Sequence, residues 1–253
     1  MVPLFALLPV HGDASQSGTV PVLFVFFRIP VPRLLFDPQC VPVDSVAGEQ
    51  CVLDTRLNGM WLRQRFAAPE DWTQESSDER PGLLATRVPI PASVLLPIVE
   101  RSHGLTMLLT QRSPNLTNHP GQIAFPGGRA DVGDSSSIET ALRETEEEIG
   151  LARRHIDVIG TLPEYITMTG YQITPVVALV QPPFELRAEP GEVDEIFEVP
   201  LAFLMDGMHH QRRALELPDG AGHRTFYAMP YERFFIWGAT AGILRNLFHF
   251  LRA

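Results

Sequence analysis

Apolar and polar positions in the middle of the chain alternate between strand-like and helix-like patterns. The runs ASVLLPIVER (92–101) and LTMLLTQR (105–112) are separated by Ser-His-Gly and predict a β-hairpin. Residues 135–150 combine initial serines, helix-forming residues and a final glycine, and they predict a helix. Three apolar residues of this helix, Ile138, Leu142 and Ile149, fall near one face, and Ala141 and Thr145 extend that face.

Further strands are predicted after this helix. HIDVIGTLPEY (155–165) and GYQITPVVALV (170–180) are strand-like, with a Met-Thr-Gly turn between them, and a proline- and acid-rich loop (181–192) follows. EIFEVP predicts a short strand, and LAFLM after it predicts a brief helix. Two more strands are predicted on either side of an Asp-Gly turn at 219–220, namely RRALEL and HRTFYAM. The apolar run FFIWGATAGILRNLFHFL (234–251) predicts a buried C-terminal helix. These alternating elements indicate a mixed α/β domain.

The first third of the chain is less regular. Residues 33–88 contain one helix-like stretch, TRLNGMWLRQRF (55–66), followed by a charged, serine- and proline-rich linker, and we expect the main domain to span 89–253. Residues 1–32 predict a poorly ordered extension, or translation from a start codon placed too early. A membrane anchor is the alternative, but VPVLFVFF is too short to span a bilayer and MVPLFALLPV lacks the basic start of a signal peptide.

Composition narrows the class of protein. The 253 residues are 45% hydrophobic and 20% charged, which favours a packed globular core over disorder. The net charge of −10 argues against nucleic-acid binding, which needs a basic surface. Cys40 and Cys51 have no metal-ligand spacing and are expected to be reduced thiols, so we expect a cytoplasmic protein. Composition leaves open whether the protein is a monomer or a homodimer.

Acidic residues cluster in the last two turns of the helix predicted at 135–150. Glu144 lies three residues before Glu147 and four before Glu148, so the three carboxylates share one side of the helix. Such crowding is unfavourable unless a cation sits among them, and Mg²⁺ prefers carboxylate and phosphate oxygens. Arg143 is placed to orient Glu147, whereas Glu146 points about 100 degrees away round the helix. The alternative is an acidic stripe that simply faces solvent.

The segment from Gly128 to Gly150, GRADVGDSSSIETALRETEEEIG, resembles the Nudix box. The helical half, Arg-Glu-x-x-Glu-Glu-x-Gly, is complete from Arg143 onward. The loop half departs from the family pattern, because its acidic residue is Asp134 rather than glutamate and one extra residue precedes Arg143. The resemblance implies a Nudix fold, in which a mixed β-sheet is sandwiched between helices.

A second motif resembles the coenzyme A pyrophosphatases of this superfamily. LLTQRSPNLTNHPGQIAFPGG (108–128) matches the signature that precedes their Nudix box, except that Thr117 stands where the signature has an arginine. The resemblance covers about residues 89–252. It implies hydrolysis of coenzyme A or a derivative to 3′,5′-adenosine diphosphate and 4′-phosphopantetheine.

The resemblance also implies roles for individual residues. Mg²⁺ or Mn²⁺ would be bound by Glu144, Glu148, Glu147 and the carbonyl of Gly128. The catalytic residues would be Glu147, Arg143 and Glu192. The substrate would be contacted by Arg112, Gly127, Gly128 and Tyr171.

Each of these assignments has a plainer alternative. Glu192 would be an exposed loop acid, Arg112 would be a structural ion-pair partner, and Tyr171 would be a core aromatic residue. His119, in the loop before Gly121, could touch a phosphate, and its alternative is an incidental histidine. At the level of function the alternatives are a Nudix enzyme acting on ADP-ribose, dinucleoside polyphosphates or oxidised nucleotides, and a non-catalytic module that senses a nucleotide. In each case the ligand is a small nucleotide rather than nucleic acid or a membrane.

Overall fold

The computed structural model describes residues 36–75, 88–167, 169–216 and 223–253, and these residues form twelve strands and four α-helices. The strands are β1 (Val43–Val46), β2 (Ile90–Arg101), β3 (Gly104–Arg112), β4 (Ile123–Ala124), β5 (Gly127–Arg129), β6 (Ile156–Thr161), β7 (Tyr165–Ile166), β8 (Tyr171–Val180), β9 (Val193–Pro200), β10 (Gln211–Glu216), β11 (His223–Tyr231) and β12 (Phe234–Trp237). The helices are α1 (Gly59–Ala67), α2 (Ser137–Ile149), α3 (Leu201–Leu204) and α4 (Ala239–Arg252).

A mixed sheet of eight described strands surrounds β2. This strand pairs antiparallel with β3, in the predicted hairpin, and parallel with β8. β5 also pairs with the first part of β2, and β4 pairs with the last residues of β3. The start of β2, the end of β3, β5 and the start of β8 therefore lie at one end of the sheet.

The central strands bury alternate residues on opposite faces, as strand geometry requires. Leu95 of β2 packs in a cluster with Ala141 of α2, whereas Leu96 packs in a cluster with Leu62 of α1 and Leu247 of α4. The sheet thus lies between α2 on one face and α1 and α4 on the other. The predicted mixed sheet sandwiched between helices is confirmed.

Helix α2 begins and ends where the sequence predicts. The Ser136 hydroxyl accepts the backbone N–H of Glu139 (3.2 Å), and Gly150 takes a left-handed conformation (φ 67°) at the other end. On the apolar face of α2, Ala141, Thr145 and Ile149 are buried, whereas Ile138 in the first turn is exposed. Glu148 occupies an inward-facing position that would ordinarily be apolar.

The predicted C-terminal helix is wrong for its first four residues. Phe234–Trp237 form β12, which pairs with β11, and the helix begins only at Ala239. The aromatic and β-branched side chains of this run favour a strand, and Gly238, at φ 64°, separates it from the helix. The second described sheet has the order β1-β10-β11-β12. No local pattern predicts β1, because all four of its residues are exposed and its pairing with β10 is irregular.

The N-terminal segment closes over the last helix. α1, the helix predicted near 55–66, is present, and Arg56, just before it, donates from Nη1 to the carbonyls of Leu251 and Ala253 (2.9 and 3.0 Å). Arg65 donates to the Phe250 carbonyl (2.8 Å). These bonds satisfy carbonyls that the end of a helix otherwise leaves unpaired.

A buried ionic cluster joins the same regions. The side chain of Arg245 in α4 is 4% exposed and bonds to the carboxylates of Glu49 (Nη2 to Oε1) and Glu75 (Nε to Oε2), each at 2.8 Å. His249 and Tyr227 also bond to Glu75. Burial alone would raise the pKa of Glu75, but these hydrogen bonds and the charge of Arg245 outweigh it and lower the pKa to about 2.

Some predictions concern residues that the structure does not describe. The extension at 1–32, part of the linker, Met168 of the predicted turn and the Asp-Gly turn at 219–220 lie outside the described residues. Among the helices that are described, none has the length and apolar character needed to cross a membrane.

Candidate active site

Two glycines allow the backbone of β5 to lie close to β2 and to α2. Gly127 has a φ of 152°, and a Cβ at this position would lie 2.4 Å from the Ser93 carbonyl oxygen. A Cβ on Gly128 would lie 2.4 Å from the carboxylate carbon of Glu144. Any larger residue would displace these groups, so the two glycines permit the close approach of β5 to the glutamates of α2.

Glu148 is the most buried carboxylate of this region. Its side chain is 6% exposed, and its Oε2 accepts the backbone N–H of Gly127 (3.0 Å). Its Oε1 lies 3.9 Å from Nη1 of Arg112. Burial raises the pKa of Glu148 to about 7, even though the Gly127 N–H and Arg112 oppose the rise. The folded protein therefore holds a carboxylate whose charge is incompletely compensated.

Glu144 and Glu147 share one arginine. Nη1 of Arg143 lies 3.0 Å from Oε1 of Glu144 and 2.9 Å from Oε2 of Glu147. The Glu144 side chain is 17% exposed, and burial raises its pKa despite the nearby arginine. The Glu147 side chain is 60% exposed, so this carboxylate is accessible to a solvent molecule or a ligand.

Arg143 is held mainly by Asp134. Two hydrogen bonds join them, Nε to Oδ1 (2.9 Å) and Nη2 to Oδ2 (3.0 Å), and Nη2 also donates to the Arg129 carbonyl (3.1 Å). The paired guanidinium holds the pKa of Asp134 well below its usual range and raises the pKa of Arg143. The sequence placed Asp134 at the acidic position of the box loop but did not predict this pairing.

Glu192 lies close enough to influence both buried carboxylates. Its backbone carbonyl accepts the N–H of Ser113 (2.8 Å), which fixes the loop before β9 against the end of β3. Its side chain is exposed, yet its negative charge contributes to the raised pKa of Glu144 and of Glu148. The structure thus brings the three glutamates into one electrostatic environment.

The other predicted site residues lie around this group. Nη1 of Arg112 lies 3.9 Å from Oε1 of Glu148. Burial and the charge of Arg112 together lower the pKa of the half-buried His119. Tyr171 is half-buried at the start of β8, and its hydroxyl accepts from Arg129. Glu146 points away, as expected from the helical repeat, and pairs with Arg153 (3.3 Å).

The donor set of the site fits a hard divalent cation. Within the described ranges, no three histidine, cysteine, aspartate or glutamate side chains are already gathered as a metal-holding group. Instead, the glutamates form ion pairs with Arg143 and Arg112. Carboxylate oxygens are nevertheless the ligands that Mg²⁺ and Mn²⁺ prefer. Because residue 128 is a glycine, the carboxylate of Glu144 can occupy the space next to its Cα.

Comparison with known proteins identifies the class to which this fold and site belong. The NUDIX domain family model matches residues 89–218, and the chain therefore belongs to the Nudix family and is a pyrophosphohydrolase. Nudix hydrolases act on small-molecule nucleotides and generally use divalent ions such as Mg²⁺ or Mn²⁺.

Similar proteins occur among curated sequences and solved structures. The chain is 46% identical over 157 residues to the protein named "Uncharacterized Nudix hydrolase NudL" of Escherichia coli K12, a match that covers 62% of this chain and 80% of that protein. A NudL of Shigella boydii serotype 18 matches with the same identity and coverage. A C. elegans Ap4A hydrolase binary complex covers 44% of this chain and 80% of its own, with 19% identity and a TM-score of 0.39.

Proposed function

We propose that the protein hydrolyses the diphosphate bond of coenzyme A or a derivative, giving 3′,5′-adenosine diphosphate and 4′-phosphopantetheine. The observation that carries the proposal is the burial of Glu148 and Glu144 against the glycines of β5. Carboxylates whose pKa is raised in this way attract a cation, and a cation among them attracts a diphosphate. The motif at 108–128 supports coenzyme A as the substrate.

The proposed metal ligands are Glu144, Glu148, Glu147 and the Gly128 carbonyl. A bound Mg²⁺ or Mn²⁺ would neutralise the diphosphate and make water a stronger nucleophile at neutral pH. The backbone N–H of Gly127 fixes one oxygen of Glu148, so this carboxylate is oriented before any ligand arrives.

The chain's own catalytic residues are proposed from their exposure and partners. Glu147 is the most exposed of the helix carboxylates at the site, and it is oriented by Arg143, so it is placed to accept a proton from the attacking water. Asp134 fixes Arg143 in turn, which makes Asp134 a positioning residue. Glu192, exposed in the loop before β9, is the second candidate base.

The proposed substrate contacts lie at the same end of the sheet. Arg112 is half-buried beside Glu148, where its guanidinium would meet a phosphate oxygen. Gly127 and Gly128 would allow the substrate to approach the backbone closely. Tyr171 offers an aromatic ring that would stack on the adenine.

Thr117 is the reason to consider a second class of substrate. This residue is exposed in the loop between β3 and β4, at the position where the signature has an arginine. If coenzyme A needs that arginine, the same site would act on ADP-ribose, a dinucleoside polyphosphate or an oxidised nucleotide. A non-catalytic nucleotide sensor is disfavoured, because every carboxylate of the helical half of the box is present.

A substrate panel tests the proposal. The full chain would be incubated with coenzyme A, ADP-ribose, a dinucleoside tetraphosphate and an oxidised nucleoside triphosphate, each with Mg²⁺ and with EDTA. We expect release of phosphopantetheine that requires Mg²⁺. Release of AMP from ADP-ribose at a higher kcat/KM than cleavage of coenzyme A would contradict the substrate assignment, and equal turnover in EDTA would contradict the metal assignment.

Glu147→Gln tests the catalytic assignment. We expect turnover to fall at least about 100-fold, the order reported for loss of a positioned general base, while the circular dichroism spectrum stays that of the folded protein. The exposed neighbour Glu146, which pairs with Arg153, supplies the control variant Glu146→Gln. Near-normal activity of the Glu147 variant would refute the assigned role.

We also propose that the protein acts in the cytoplasm. Cys40 and Cys51 both lie among the described residues, are exposed and form no disulfide with each other, as in a reducing compartment. Cell fractionation would test this location, and recovery from an oxidising compartment would contradict it.

A further inference from the structure

Among the described residues, none gives Arg129 an acidic partner, although it lies at the same end of the sheet as a carboxylate-rich site. Its side chain is exposed and donates from Nε (2.9 Å) and from Nη2 to the hydroxyl oxygen of Tyr171. Its guanidinium carbon lies 5.2 Å from the centroid of the tyrosine ring. Across the part of the chain that the structure describes, no carboxylate lies within ion-pair distance of Arg129. The tyrosine hydroxyl therefore orients a guanidinium that no described carboxylate pairs with.

The backbone fixes this pair at the same end of the sheet as the proposed metal site, but on the face opposite α2. Arg129 directly follows Gly128, so their Cα atoms are about 3.8 Å apart. The Arg129 carbonyl accepts a hydrogen bond from Arg143 (3.1 Å), the residue that also pairs with Glu144. Arg129 lies opposite Ala92 of β2, and two residues earlier in the same strand Ile90 lies opposite Tyr171. Arg129 and Tyr171 therefore occupy the same end of the sheet as the glycines and glutamates.

The chemistry of the pair indicates what it would bind. A guanidinium has five N–H groups in one plane, and the tyrosine hydroxyl accepts only two of them. The remaining donors match the oxygens of a phosphate monoester, which arginine binds through two parallel hydrogen bonds. A carboxylate of the site would compete for Arg129 if it lay within reach, but those carboxylates are paired with Arg143 and Arg112 instead.

We propose that Arg129, oriented by Tyr171, binds a phosphate monoester on the ribose of the nucleotide, outside the diphosphate that is cleaved. The proposal rests on the proposed function only for the position of the diphosphate at the glutamates. Arg129 is then a specificity-determining residue, because it discriminates nucleotides that carry the additional phosphate from those that lack it. Tyr171 is a positioning residue that holds the guanidinium in place.

Calorimetric titration of the full chain with small nucleotides, in the presence of Mg²⁺, tests the proposal without any need for turnover. The probes are adenosine 3′,5′-bisphosphate, adenosine 2′,5′-bisphosphate and AMP, which differ in the ribose phosphate. We expect at least one bisphosphate to bind the wild type about 10- to 100-fold more tightly than AMP, the range for hydrogen bonds between charged groups. Arg129→Gln should reduce this ratio to below about 3 and leave the affinity for AMP unchanged.

Two further variants separate orientation from charge. Tyr171→Phe keeps the ring and removes the hydroxyl, so it should lower the ratio less than Arg129→Gln does. Arg154→Gln is the matched control, because Arg154 is also exposed but lies at the other end of the sheet. It is two residues before Ile156, which pairs with Val180 at the end of β8 opposite Tyr171. The control should preserve the ratio of the wild type.

The outcomes distinguish this proposal from the proposed function. A wild type that binds neither bisphosphate more tightly than AMP overturns the role of Arg129, whatever the substrate panel shows. If Arg129→Gln weakens the binding of all three probes equally, the proposal is overturned as well, because Arg129 then only stabilises the local structure. If the bisphosphate preference depends on Arg129 but coenzyme A is not cleaved, the phosphate site stands and the substrate assignment fails.

Discussion

Replacing Glu148 with glutamine should stabilise the metal-free protein at alkaline pH. The Glu148 side chain is 6% exposed, and burial raises its pKa from 4.5 to about 7. At 1.36 kcal/mol per pKa unit, the ionised carboxylate destabilises the folded state by up to about 3 kcal/mol above pH 7. Glutamine has nearly the same shape, carries no charge and keeps an oxygen that accepts the Gly127 N–H. The substitution should therefore remove the electrostatic cost and keep the hydrogen bond.

The sign of the pH dependence follows from the direction of the shift. A carboxyl group with a raised pKa in the folded state favours folding at low pH, and that contribution is lost as the pH rises from about 4.5 through about 7. In EDTA, Glu148→Gln should exceed the wild type in free energy of unfolding by about 2–3 kcal/mol near pH 8.5 and match it near pH 4.5. Its hydrolase activity should be lost, because the charge that destabilises the folded protein is the charge that we propose binds the metal.

Urea unfolding followed by circular dichroism measures this difference. Glu146→Gln, which removes an exposed carboxylate from the same helix, is the control and should change the free energy of unfolding by less than about 0.5 kcal/mol. Millimolar Mg²⁺ should stabilise the wild type more than Glu148→Gln. A Glu148 variant that is less stable than the wild type near pH 8.5, or equally shifted at both pH values, would refute the reasoning.

Three other substitutions test separate parts of the structure. Gly128→Ala places a Cβ 2.4 Å from the Glu144 carboxylate carbon, so the carboxylate must move away and kcat should fall at least about 10-fold, whereas wild-type kinetics would contradict the close approach. Asp134→Asn removes the charge that holds Arg143 and should lower kcat about 10- to 100-fold in steady-state assays, whereas an unchanged kcat would exclude positioning through that pair. Arg245→Met removes the cation that Glu49 and Glu75 share and should lower the free energy of unfolding by about 3 kcal/mol in urea titrations, and a change below about 1 kcal/mol would show that the cluster does not stabilise the fold.

The sequence predicts the parts of the fold that local patterns determine. Helix α2 carries its start and stop signals at Ser136 and Gly150, and the hairpin of β2 and β3 carries two apolar runs around a short turn. The helix prediction is wrong for Phe234–Trp237, because the apolar run continues into α4 and only the residue types of the strand and Gly238 mark the boundary. β1 has no apolar periodicity to detect, since both of its faces are exposed.

The candidate site was predictable to the extent that its residues lie close in sequence. Spacing alone places Glu144, Glu147 and Glu148 on one side of a helix, and the structure adds which of them are buried. The contact of Arg112 with Glu148, and that of Arg129 with Tyr171, join residues more than 30 positions apart. Such contacts depend on strand register, which a single sequence does not encode in any local pattern.

The arginines that close the end of α4 have a consequence for how much of the chain is needed. Arg56 and Arg65 precede the stretch that matches the Nudix family, residues 89–218, and α4 follows it. A fragment trimmed to the shared stretch would lack both partners of this contact and would expose the face of the sheet that carries Leu96 to water. The segments before and after residues 89–218 therefore stabilise each other, and a fragment that keeps only one of them would lose this contact as well.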